Sequence, residues 1–128
     1  MKRLIAAVSL LGLCAATLAQ NRSASAPPPD VQTLYETLMD ATIHNKVERF
    51  HDACDESVRA AVTPEALGRV SGSVQPVLAP GYDTDYLGNY RKTGLDVHLY
   101  RVDPSAGEDD LLVMLAVRDG KCAGFLMR

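Results

Sequence analysis

This sequence predicts an α+β domain, with N-terminal helices packed on an antiparallel sheet of about four strands. Three observations carry that expectation. Apolar residues recur at three-and-four spacing from Val31 to about Val77, the period changes to two after about Asp83, and Asp119-Gly120 marks a hairpin turn near the end. Helices first and a strand meander second is the order of an α+β chain rather than of alternating α/β units.

The chain opens with the grammar of a bacterial export signal. Lys2 and Arg3 precede an apolar run from Leu4 to Leu13, and Thr17 and Ala19 stand where the signal peptidase requires small residues. Residues 1–19 therefore read as a signal peptide cleaved after Ala19, with a periplasmic or secreted destination. The run is too short for a stable membrane span, which takes roughly 20 apolar residues. Two other readings are an N-terminal core helix and a lipoprotein, since Leu11-Gly12-Leu13-Cys14 loosely resembles a lipid-attachment box. That box takes a small residue before the cysteine, and Leu13 is bulky. Residues 20–30 form a proline-rich spacer, stiffened by Pro27, Pro28 and Pro29, and residues 31–128 form the single α+β domain.

Asp30 stands where a helix N-cap belongs, ahead of Val31, Leu34, Tyr35, Leu38, Met39 and Ile43 on one helical face. Asn45-Lys46-Val47-Glu48 has the form of a capping box that restarts a helix, with Val47 and Phe50 inward. Asp52 or Asp55 caps the next short stretch, through Val58 and Val62. Thr63-Pro64-Glu65 joins a hydroxyl cap, a proline at the first helical position and an acid in the first turn. Leu67, Val70, Val74 and Val77 give that helix its face, Pro76 bends or ends it, and Pro80-Gly81 closes the helical half.

The sheet begins near Asp83. A strand through Tyr86 to Thr93 turns at Lys92-Thr93-Gly94 into Leu95-Asp96-Val97-His98-Leu99-Tyr100, and Leu111 to Val117 is an unbroken apolar run before the last hairpin. With Asp119 and Gly120 as the two turn residues, regular pairing sets Val117 opposite Cys122 and Met114 opposite Phe125. One face then carries Leu111, Val113, Leu115, Val117, Cys122 and Leu126, in line with Leu95, Val97 and Leu99 as the core face. The other carries Leu112, Met114, Phe125 and Met127. These four are apolar and lack a cover, so they are assigned as the face of a homodimer; the alternative is a spacer or helix of the same chain folded over them.

Charge excludes some partners. Loss of Lys2 and Arg3 from 13 basic residues leaves 11 against 16 acidic ones, with no basic stripe, which argues against nucleic acid. Cys14 departs with the signal, leaving Cys54 and Cys122. An even count in an oxidising compartment points to a disulfide, with two buried thiols as the alternative.

The order of elements also resembles the nuclear transport factor 2-like superfamily, a cone of curved sheet around a long helix, and within it a small bacterial domain family of unknown function. The residues that carry the resemblance are Leu34, Leu38 and Phe50, the helix start Thr63-Pro64-Glu65-Ala66-Leu67, and the tail from Asp110-Leu111-Leu112-Val113 to Asp119-Gly120-Lys121-Cys122-Ala123-Gly124-Phe125. The resemblance implies a curved sheet, sheet-face dimers, and either a non-catalytic binding domain or a cone-pocket isomerase or dehydratase.

Asp96, His98 and Tyr100 share one face of a strand and are the candidates for catalysis: an Asp–His pair to move a proton, and a tyrosine hydroxyl for a developing oxyanion. The expectation is that they lie outside the sheet, opposite Leu95, Val97 and Leu99. His51, Cys54 and Asp55 have i, i+3, i+4 spacing, with His44 one heptad earlier, but a fourth ligand is missing and no metal is assigned. Asp83-x-Asp85-x-Leu87-Gly88 starts like a calcium loop, yet Leu87 stands at a ligand position and Gly94 at the twelfth, so it reads as a turn. No cofactor motif is present. The sequence therefore points to an exported protein, a non-catalytic binding or interaction domain with a homodimer or envelope-protein partner. The alternative is a small enzyme acting on a hydrophobic ligand.

Overall fold

A computed structural model describes residues 26–107 and 109–128. The signal segment 1–19 and most of the spacer 20–30 lie outside the described residues. Four helices precede a four-stranded antiparallel sheet of order β1-β2-β3-β4: α1 Pro29–Ile43, α2 Val47–Asp52, α3 Glu56–Ala61, α4 Pro64–Leu78, then β1 Tyr82–Lys92, β2 Leu95–Pro104, β3 Leu111–Arg118 and β4 Lys121–Met127. The helices pack on one face of the curved sheet, as the sequence predicts. No described helix is long and apolar enough to cross a membrane.

Helix α1 starts one residue before the predicted cap. Pro28 is the N-cap and Pro29 the first helical residue, so the spacer's last proline presets the helical φ and Asp30 falls in the first turn. The helix ends at Ile43 with His44 as C-cap, and Asn45 beyond it takes a left-handed φ of 52° while Lys46 N–H donates to the Ala41 carbonyl at 2.8 Å. Asn45 thus terminates α1 and does not cap α2, whose N-cap is Lys46 with no side-chain bond. Asp55 caps α3 through Val58 N–H at 3.0 Å, and Thr63 caps α4 through Ala66 N–H at 3.2 Å.

The buried face of α4 is Leu67, Ser71 and Leu78, with Val74 half-buried, while Val70 is exposed. Ser71 lies inside because its hydroxyl donates to the Ile43 carbonyl at 3.3 Å, satisfying an orphan acceptor at the end of α1. The helix continues two residues past Pro76 to Leu78, and the chain leaves it through Gly81 at a φ of 130°.

Both tight hairpins form as predicted. Thr93-Gly94 and Asp119-Gly120 have positive φ at both central residues (49° and 76°, 51° and 74°), the primed turn whose twist suits antiparallel strands. Two bulges then decide which residues face the helices. In β1 the register shifts between Tyr86 and Gly88, making Leu87 the extra residue; the calcium-like stretch is therefore an edge strand and not a turn. In β4 Cys122 pairs with Val117 but Gly124 pairs with Ala116, so Ala123 is the extra residue.

The expected core face of Val113, Leu115 and Cys122 is buried as predicted, but on β2 the assignment of faces is inverted. Tyr100, Val102, Val113, Leu115 and Cys122 are buried against Leu38, Met39, Phe50 and Leu67, whereas Leu95, Val97 and Leu99 lie on the sheet's outer face. A period of two says which residues share a face and not which face is inside. Here the interior is an aromatic layer: Tyr35 of α1 stacks on Tyr100 with centroids 3.8 Å apart, and Tyr86 meets Tyr100 edge-on at 5.2 Å.

Candidate functional site

Asp96, His98 and Tyr100 lie on the inner face, contrary to the expectation that they face outward. They do not assemble into one site. The carboxylate of Asp96 is half-exposed and 3.6 Å from Arg91, its cross-strand neighbour. His98, 4% exposed, shares a 2.9 Å hydrogen bond with the Tyr86 hydroxyl through Nδ1. Tyr100 is fully buried beneath Tyr35, and its hydroxyl has no hydrogen-bond partner among the described residues. Tyr35 and Thr84 join hydroxyls at 3.0 Å across the layer.

Burial governs the ionisation of this cluster. It pushes the Tyr35 phenol up to about 12 and raises Tyr82, Tyr86 and Tyr100, so all four stay neutral near pH 7. His98 is lowered by burial, which outweighs the opposing attraction of Asp96 and Asp30. The folded state therefore resists protonation that the unfolded chain accepts near the ordinary histidine value of about 6.5. Stability from this group is full above that value and is lost as pH falls towards the lowered one. Thermal melts between pH 7 and pH 5 check this: the midpoint should fall in the wild-type protein and fall less in His98→Asn, whose amide can reach the Nδ1 position. Equal slopes would remove His98 as the cause.

The outer face is the larger feature. Across four strands it carries Tyr90, Leu95, Leu99, Met114 and Leu126 around Val97, itself buried among its strand neighbours, and none of the four helices packs over it. Tyr90 is 39% exposed and Leu126 43%. A shallow apolar cleft of about 230 Å³ lies among Tyr90, Leu95, Val97, Met114 and Leu126, with Lys92 and Thr93 at its edge.

The four residues assigned to a dimer face are divided by the β4 bulge. Leu112 and Met114 are on the outer face. Phe125 and Met127 pair with Leu115 and Val113, pack against the core, and Phe125 meets Phe50 edge-on at 6.2 Å. Leu126 takes the outer place that regular pairing gives to Phe125. The signal that would have exposed this is Gly124: a side chain there would sit 3.4 Å from the Ala116 Cβ, and a glycine inside a strand often marks a bulge.

Charges flank the apolar centre unequally. At one end Asp83, Asp85 and Asp103 surround Arg101, which bonds Asp85 and lies 3.8 Å from Asp110. At the other end stand Lys92 and Arg118, beside the two hairpin turns.

The residues considered for metal have other partners. His51 Nε2 is 2.6 Å from the Val62 carbonyl oxygen, Asp55 caps α3, and His44 sits 3.7 Å from Asp40. Among the described residues no three histidine, cysteine or acidic side chains converge as a metal site. Cys54 and Cys122 are buried free thiols that face each other. Neither a protein-family model nor a curated protein sequence matches the chain.

Proposed function

We propose that this chain is an exported, non-catalytic interaction domain that pairs with a second copy of itself through the outer face of its sheet. Cleavage after Ala19 releases it to the periplasm or the outside, and its helices-then-meander order supports a nuclear transport factor 2-like fold. The observation that carries the interaction reading is the apolar face of exposed Tyr90 and Leu126 and half-buried Leu95 and Met114, gathered around the buried Val97, which no helix covers. Monomeric proteins rarely leave such a patch in water.

Charge selects a second copy over an unrelated partner. A two-fold axis in the plane of the sheets and across the strands lays the Asp83, Asp85, Asp103 end of one copy on the Lys92, Arg118 end of the other. Both ends are satisfied at once, twice, by one operation. A small hydrophobic ligand in the outer cleft, or an envelope protein on the same face, would use the apolar centre but leave that charge pattern unexplained.

Sedimentation at micromolar concentration, with native mass spectrometry, tests the proposal. A dimer is expected for the processed wild-type protein and a folded monomer for Met114→Asp. A wild-type monomer, with or without a bound small molecule, overturns it.

The second reading, a cone-pocket enzyme, gains from the inward placement of His98 and Tyr100. It is the weaker one because Tyr35 fills the space above Tyr100 and Asp96 turns to Arg91, leaving His98 without a carboxylate partner.

A further inference from the structure

Cys54 lies in the three-residue connection between α2 and α3, far from β4 in sequence, yet the backbone fixes it beside Cys122. Cys122 N–H donates to the Ala53 carbonyl and Asp55 N–H donates to the Cys122 carbonyl, both at 2.9 Å. These two bonds bracket Cys54 and make a one-residue parallel β-bridge between the cysteines. Bridge partners sit at neighbouring-strand spacing, about 4.8 Å, inside the range of Cα separations that disulfides use.

The side chains agree with the backbone. Each thiol is the other's dominant electrostatic neighbour, Cys122 pushing Cys54 up and Cys54 holding Cys122 down. Both residues are almost wholly buried, at 2% and 0% exposure, and no other described side chain bonds to either. Lys121 adds a third clamp, its Nζ donating to the Asp52 carbonyl at 2.8 Å.

We propose that Cys54 and Cys122 form an intramolecular disulfide that staples the α2–α3 connection to β4, one residue ahead of the Ala123 bulge. The oxidant is a dithiol-disulfide exchange partner, protein or small molecule. The Cys122 thiolate attacks its disulfide and releases one thiolate; the Cys54 thiolate then attacks Cys122 Sγ and expels the second. Each cysteine gives up one proton and one electron, and the oxidant leaves as the reduced dithiol. Because both sulfurs are buried in the folded state, exchange takes place before the α2–α3 connection docks on β4.

The experiment starts from the full chain, reduced and denatured, and refolds it in a mixture of reduced and oxidised glutathione. Non-reducing peptide mapping should recover a Cys54–Cys122 linked pair, with Cys14 read on its own peptide. Chemical reduction should lower the melting midpoint by roughly 15 °C or more, since the bridge closes a loop of about 70 residues. In the folded reduced protein, both thiols should react with a soluble aromatic disulfide at least ~100-fold more slowly than in the denatured chain. Free or glutathione-capped thiols after refolding would overturn the proposal, as would a linked pair whose reduction leaves the midpoint unmoved. The double variant Cys54→Ala, Cys122→Ala should melt without response to reductant; a response there would place the effect elsewhere. This outcome is independent of the dimer, because a monomer would refold to the same bridge.

Discussion

Phe125→Asp is expected to unfold the domain, while Leu126→Asp, one residue later, leaves it folded. The contrast rests on the Ala123 bulge, which turns Phe125 towards Phe50 and Leu126 towards solvent. Phe125 is partly buried against the core, so losing its ring costs up to about 3–5 kcal/mol, and a carboxylate set against its apolar neighbours costs about 1–3 kcal/mol more. A domain of this size is stable by only about 5–15 kcal/mol in total. Leu126 is 43% exposed, and a charge there costs about 1 kcal/mol at most, chiefly in strand propensity.

Melting curves decide between the registers. At about 4–8 °C per kcal/mol, Phe125→Asp should lose the transition or lower it by more than ~12 °C, against less than ~8 °C for Leu126→Asp. A pairing without the bulge reverses the two results. Leu126→Asp carries a second readout, since it puts a charge into the face proposed to meet a second copy. A folded monomer is the expected form.

These same residues show how far the sequence could be read. Thr63-Pro64-Glu65, Thr93-Gly94 and Asp119-Gly120 place a helix start and two hairpins correctly, because caps and primed turns are local chemistry held in adjacent residues. What fails is the identity of the buried face, which depends on distant partners. Leu95, Val97 and Leu99 look like core and His98 and Tyr100 look like surface until Tyr35 and Tyr86 arrive to stack on one and hydrogen-bond the other. The single extra residue Ala123 then moves every side chain beyond it to the opposite face, which no pattern of period two can announce. The candidate trio was legible as a shared face and illegible as a site, because Asp96 finds Arg91 across the strand pair and not His98.

Tyr35→Ala is expected to destabilise by about 3–5 kcal/mol, and Tyr100→Phe, in the same stack, to stabilise by about 1 kcal/mol. Tyr35 is 2% exposed, lies flat on Tyr100 at an interplanar angle of 9°, and ties α1 to β1 through Thr84. Truncation leaves a ring-sized cavity and strips one face of Tyr100 of contacts. The Tyr100 hydroxyl is different: it is buried and bonded to nothing described, so the folded state carries its desolvation without return. Phenylalanine keeps the ring and its stacking and removes only that cost. Melting midpoints should therefore move in opposite directions, down by more than ~12 °C for Tyr35→Ala and up by ~4–8 °C for Tyr100→Phe. A destabilised Tyr100→Phe would mean that the hydroxyl has a partner in solution, such as an ordered water or a bound polar group. That result would favour the enzyme reading, because an oxygen held between the sheet and α1 is what a proton-transfer site requires. A stabilised variant would instead identify the inner aromatic layer as core, leaving the outer face as the surface that acts.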